Sequence, residues 1–129
     1  MNVDKSMSKI LIVDDNIANV LLLERMLNIS GYNNIKTLTD SREILRLYST
    51  YKPNLILLDF RMPFVDGLQI IDELNLIKDD SELSIIMISA ENDKEYYDKA
   101  LAKGAADFIT KPFNYNDIIS KITSTLDCL

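Results

Sequence analysis

The chain has 129 residues, 47% of them apolar and 26% charged, which fits one globular domain and is too apolar for a disordered one. A net charge of −6 argues against direct nucleic-acid binding through phosphates, and a single cysteine, Cys128, excludes a disulfide framework or a cysteine metal cluster. There is no histidine, so Ser-His-Asp and Cys-His catalysis, imidazole-bound zinc and a phosphohistidine acceptor are all excluded, leaving carboxylate, hydroxyl, lysine and backbone for any chemistry.

The leader MNVDKSMSK lacks the apolar core of a signal peptide, and residues 1 to 8 are expected to be a loose segment before a single domain at 9–129. KILIVDD reads as a first strand, followed by a helix over NIANVLLLERMLNISGY with Gly31 as its stop. NIKTLTD is a second strand, paler than the first and so nearer an edge; SREILRLYSTY is helical, with Ser41 able to cap, and ends before Pro53. NLILLDF is a continuous apolar run of the kind buried on both faces, and DGLQIIDELNLIK returns to helical spacing. LSIIMISA is a fourth strand, NDKEYYDKALAKG a helix with a thin apolar stripe, and ADFITKPF a fifth strand. Ile118, Ile122 and Leu126 line one face of a last helix. No apolar run approaches the roughly 20 residues that span a bilayer, so a cytoplasmic protein without membrane association is expected.

Five strand-then-helix repetitions predict a parallel sheet with helices on both faces, joined by right-handed crossovers. All strand C-terminal ends then meet on one rim, where open α/β folds place their sites. Asp14 and Asp15 end the first strand, Asp59 the third, Ser89 followed by Ala90 the fourth, and Lys111 the fifth. Taken singly, each has an ordinary explanation: a carboxylate after a strand is most often a helix N-cap, a serine there belongs to a turn, and a lone lysine is solvated. Independent caps have no reason to converge. Like charges about 4 Å apart repel by roughly 1 kcal/mol in water and about 4 kcal/mol at an effective dielectric of 20, so clustered carboxylates call for a cation. All-oxygen ligation points to Mg²⁺ or a similar hard divalent ion that shares its shell with a phosphoryl group.

The set VDD, LLDFRMPFVDG, ISA and DFITKPF, in this order and spacing, resembles the receiver domain of bacterial two-component response regulators over about Lys9 to Leu126. The resemblance implies a flavodoxin-like (βα)5 doubly wound parallel sheet with strand order 2-1-3-4-5. It implies that Asp59 is the phosphoacceptor, and that Asp14, Asp15, Asp59 and the backbone carbonyl of Arg61 hold Mg²⁺, or Mn²⁺ in its place. Lys111 and Ser89 would contact the phosphoryl group, Ser89 and Phe108 would form a switch pair, and the Lys111–Pro112 bond would be cis. Arg61, Ala90 and Glu91 would neighbour the phosphoryl group, and an Arg61–Glu91 ion pair there could restrict attacking water. The donor histidine would lie on a sensor histidine kinase or phosphotransfer protein. The output would be a C-terminal domain outside this chain or a separate effector, reached through the face of the fourth helix, fifth strand and last helix, with a phosphorylation-dependent homodimer as one form. Phe64 and Val65 depart from the family pattern, standing where a glycine and a small or polar residue are common.

Two other classes compete. A haloacid-dehalogenase-type phosphatase also uses an aspartate after a strand, but needs a second carboxylate two residues on, where this chain has Arg61. A phosphorylation-independent interaction module with a vestigial acidic pocket would fail to accept phosphoryl from acetyl phosphate. A flavin-binding flavodoxin is disfavoured because no hydroxyl- and glycine-rich phosphate loop follows the first strand.

Overall fold

Side-chain alternation along the strands decides which residue enters which layer of the core. The structure is a computed structural model that describes residues 5–62, 65–78, 83–90 and 94–128. Strands β1 (Lys9–Val13), β2 (Asn34–Leu38), β3 (Leu55–Asp59), β4 (Ser84–Ser89) and β5 (Asp107–Thr110) form one five-stranded sheet in the order β2-β1-β3-β4-β5. All four pairings are parallel. Helices α1 (Ile17–Ile29) and α5 (Tyr115–Asp127) cover one face, where Ile10, Ile12, Leu55, Leu57, Ile86 and Ile88 meet Leu23, Leu27, Ile118 and Ile122. Helices α2 (Ile44–Tyr51), α3 (Gly67–Ile77) and α4 (Tyr97–Ala102) cover the other, against the alternate residues Leu11, Val13, Ile56, Leu58, Ile85 and Met87. The expected flavodoxin-like topology is therefore the observed one.

The burial of each strand follows its place in the sheet. Every residue of the central β3 is buried, whereas none of the edge strand β2 is, in keeping with its paler sequence. Gly31 and Gly104, at φ 100° and 108°, turn the chain just past α1 and α4, a conformation that side chains with a Cβ rarely adopt. Ahead of β1, Lys5–Met7 form a 3-10 turn and Lys5 Nζ donates to the Ser30 carbonyl at 3.1 Å.

Two local expectations are corrected. Ser41 does not cap the second helical segment; the Asp40 side chain accepts from Arg42 N instead, and Ser41 is buried at the start of a 3-10 turn that leads into α2. Both residue types compete well for a cap; here the aspartate takes it and the serine is packed away. The fourth helix is also shorter than its apolar stripe suggests: a 3-10 turn at Lys94–Tyr96 precedes an α-helix of 6 residues whose one buried residue is Ala100.

Candidate functional site

The sheet brings the predicted strand-end residues together. Asp14 follows β1 and Asp59 ends the adjacent β3, so parallel pairing sets their side chains on the same rim. Asp14, Asp15 and Asp59 each present a carboxylate oxygen within 4.8 Å of the others; Asp14 and Asp59 are buried and Asp15 is exposed. None of the three caps a helix. The α1 cap is Asn16, whose side chain accepts from Ala18 N, and the α3 cap is Asp66, which forms a capping box with Gln69. The ordinary explanation for a carboxylate after a strand is thereby removed.

Asp14 is held by donors that the sequence reading did not single out: Asn16 N donates to Oδ1 at 2.9 Å and the Asn19 side chain to Oδ2 at 3.1 Å. Arg61 N donates to Asp59 Oδ1 at 3.4 Å. Gly67 is a further position missed. A Cβ there would stand 3.1 Å from both the Asp59 carbonyl oxygen and Phe60 Cα, and 2.6 Å from the end of Met87. Glycine thus lets the start of α3 close against the backbone of Asp59, where Gly67 N donates to the Phe60 carbonyl at 2.9 Å.

Lys111 Nζ reaches in from the end of β5 and stands 3.7 Å from both Asp14 Oδ2 and Asp59 Oδ1. Its backbone N donates to the Ser89 carbonyl, and the Lys111–Pro112 peptide bond is cis. One ammonium does not balance three carboxylates. Burial above all, then the neighbouring Asp14 carboxylate, pushes the Asp59 carboxyl up to about 7, against the pull of Lys111. The donor set fits a hard divalent cation on its own chemistry: three converging carboxylates, one with a carboxyl driven toward neutrality in the cation's absence.

The other half of the rim is built from hydroxyls and rings. Ser89 is buried at the end of β4, paired in register with Thr110 of β5, and Ala90 after it is half-buried. Ser89 Oγ donates to the Tyr97 hydroxyl at 3.3 Å, and the Tyr97 and Thr110 hydroxyls are 3.4 Å apart. Phe108 is half-buried, its ring stacked on that of Tyr97 with centroids 4.2 Å apart. Tyr96 packs on Phe60 at 4.5 Å, and the Arg61 guanidinium lies over both of those rings at 5.7 and 5.9 Å. Tyr96 and Tyr97, both half-buried at the start of the fourth helix, thus pack toward the strand ends. Glu91 and Phe64 lie outside the described residues.

A doubly wound parallel sheet with an aspartate cluster and a lysine at its strand ends defines a receiver, and comparison with known proteins agrees. The chain belongs to the response regulator receiver domain family, whose model matches residues 10–123. It is 38% identical over 120 residues to the alkaline phosphatase synthesis transcriptional regulatory protein PhoP of Bacillus subtilis, covering 92% of this chain and 48% of that protein. It is 36% identical over 115 residues to the transcriptional regulatory protein KdpE of Staphylococcus aureus, covering 89% and 48%. The receiver domain of NtrX from Brucella abortus superposes with a TM-score of 0.86 at 30% identity, covering 94% of this chain and all of that one. The chain spans about half the length of these curated relatives, which are transcriptional regulators. Among the described residues no helix is long and apolar enough to cross a membrane.

Proposed function

We propose that this receiver accepts a phosphoryl group on Asp59 and uses the added charge to reset the face formed by α4, β5 and α5. The observation that carries the reading is the convergence of Asp14, Asp15 and Asp59 within 4.8 Å, with Lys111 Nζ 3.7 Å from two of them. An Asp59 carboxylate oxygen forms the new bond to phosphorus while the donor's N–P bond breaks, its electron pair leaving on the imidazole nitrogen. The donor histidine belongs to a sensor histidine kinase or phosphotransfer protein, since this chain has no histidine. Mg²⁺, or Mn²⁺ in its place, would be held by Asp14, Asp15, Asp59 and the Arg61 carbonyl, and when bound supplies positive charge for the phosphoryl oxygens. Lys111 favours the ionised, nucleophilic form of Asp59 and lies near enough to pair with the transferred group. Ser89 supplies a hydroxyl donor, and Arg61 and Ala90 border the group, with Glu91 assigned there from its place after Ser89.

The phosphoryl group adds close to two negative charges. Ser89 moving toward it vacates space on β4, which Phe108 on the neighbouring β5 can fill. The signal then passes through α4 and α5 to an output domain of a longer chain, a separate effector or a second receiver, in the cytoplasm. Intact-mass analysis after treatment with acetyl phosphate and Mg²⁺ tests the assignment. One added phosphoryl group, labile to hydroxylamine and absent in Asp59→Asn, is expected. A stable adduct on Ser89, or undiminished labelling of the Asn variant, would overturn it.

A further inference from the structure

The Ser89 hydroxyl has one proton to give, and in this structure it is given to Tyr97. The same bond cannot be made to a phosphoryl oxygen. Tyr97 in turn meets the Thr110 hydroxyl and stacks its ring on Phe108, so one side chain of α4 engages Ser89 of β4 together with Phe108 and Thr110 of β5. We infer that Tyr97 is a latch: it positions the Ser89 hydroxyl away from Asp59 and Phe108 outward, and so opposes the phosphorylated arrangement until the phosphoryl group outcompetes it. The inference rests on the phosphoryl-acceptor reading above and adds to it the residue that sets its threshold.

The geometry suits a latch that can be released. The hydroxyl contacts, at 3.3 and 3.4 Å, are long for O–H···O bonds and correspondingly weak. A hydrogen bond to a charged phosphoryl oxygen is roughly twice as strong as one between neutral groups, so the exchange at Ser89 runs downhill once phosphate is present. Release would also unstack Phe108, freeing it to move as Ser89 departs. Tyr97 is the first residue of α4, and Tyr96 before it is packed on Phe60, the residue after Asp59. The start of α4 is thus gripped at both the switch hydroxyl and the acidic strand, and loss of one grip shifts the helix relative to the other.

The test compares Tyr97→Phe, which keeps the ring stack and deletes the hydroxyl, and Thr110→Val, which deletes its far partner, with the wild-type chain. Titration with beryllofluoride in Mg²⁺ should show Tyr97→Phe binding roughly two- to tenfold tighter, the range expected for one net hydrogen bond, and Thr110→Val moving less in the same direction. Amide shifts of unliganded Tyr97→Phe at Ser89, Phe108 and residues 97–102 should lie part-way along the line from unliganded to beryllofluoride-bound wild type. Unchanged affinity with unmoved shifts in both variants overturns the latch, as does weaker binding, which would place the hydroxyl in the phosphorylated arrangement. In either case wild-type uptake leaves the phosphoryl-acceptor reading standing. If the wild-type chain itself takes up neither beryllofluoride nor a phosphoryl group, that reading fails first and the latch falls with it.

Discussion

The two halves of the strand-end rim are built to different tolerances. At the acidic end, Asp14 and Asp59 emerge from strands whose apolar residues are essentially inaccessible, and Asp14 is held by two donors at 2.9 and 3.1 Å. At the hydroxyl end, Ser89 is equally buried at 3% exposure, yet its side chain is held by a chain of contacts at 3.3 and 3.4 Å to a helix of 6 residues. One sheet thus supplies a firmly held end, where the proposed phosphoryl group would add charge, and a loosely held end, where that charge would be turned into movement. Burial alone does not distinguish them. What differs is the helix above each, since α4 has 6 residues with only Ala100 buried, and the length of the contacts that hold Ser89 against those that hold Asp14.

That contrast can be broken most strongly in the rigid half. Leu57→Ala, at a fully buried position of β3, should cost about 2–5 kcal/mol in urea unfolding, and a loss below about 1 kcal/mol would mean the acidic end is not rigidly supported. Gly67→Ala should cost about 1–3 kcal/mol, because the new Cβ presses on the backbone of Asp59 and Phe60, and it should slow labelling of Asp59 by acetyl phosphate. Wild-type stability with normal labelling would show that this loop gives way without consequence.

The charge at Asp59 works against the fold when no metal is bound. Its carboxyl is raised from 3.8 to about 7, so between those values the folded state binds more protons than the unfolded state. Metal-free stability should therefore fall as pH rises from about 4 to about 7 and level off above. Asp59→Asn should abolish most of that slope and stabilise the metal-free protein near pH 8 by at least about 1 kcal/mol. Apparent Mg²⁺ affinity should rise over the same pH range as metal displaces the proton. A metal-free stability that instead climbs through this window would show that Asp59 is stabilised as a carboxylate. Smaller still, Arg61→Ala should shorten the lifetime of the phosphoryl group less than tenfold, followed by loss of the mass label after acetyl phosphate is removed; an unchanged lifetime removes Arg61 from water exclusion. Leu101→Ala, on the half-exposed face of α4, should change stability by no more than about 0.5 kcal/mol. A cost near that of Leu57→Ala would erase the distinction between the halves.

How much of this was legible in the sequence follows the same division. The shared rim was readable because the strands are periodic apolar runs: five strand-then-helix repetitions give a parallel sheet, which carries Asp14, Asp59, Ser89 and Lys111 to one rim, while the strand order came from the family resemblance. The contacts that tune the site were not readable. Asn16 and Asn19 look like ordinary helix-start residues until α1 is placed with its first turn beside Asp14. Gly67 follows the capping Asp66, so a helix start explains it without the close approach to Asp59 that the structure adds. Tyr97 lies in a stretch readable only as a thinly apolar helix, which says nothing of a hydroxyl reaching back 8 residues to Ser89. That reach depends on how the start of α4 sits against the sheet, where Tyr96 packs on Phe60 and Tyr97 on Phe108, and such tertiary contacts are not written in helical spacing.

The most direct measurement of the account is a residue-by-residue comparison of amide chemical shifts in the unliganded and the Mg²⁺-beryllofluoride-bound protein. Large changes are expected at Asp59, Ser89 and Lys111, continuing through Phe108 and residues 94–103, while Ile10–Ile12 and Leu55–Leu57 stay nearly fixed. Changes confined to the residues around Asp59, with Phe108 and α4 unmoved, would contradict the division of the rim into a rigid end and a yielding one.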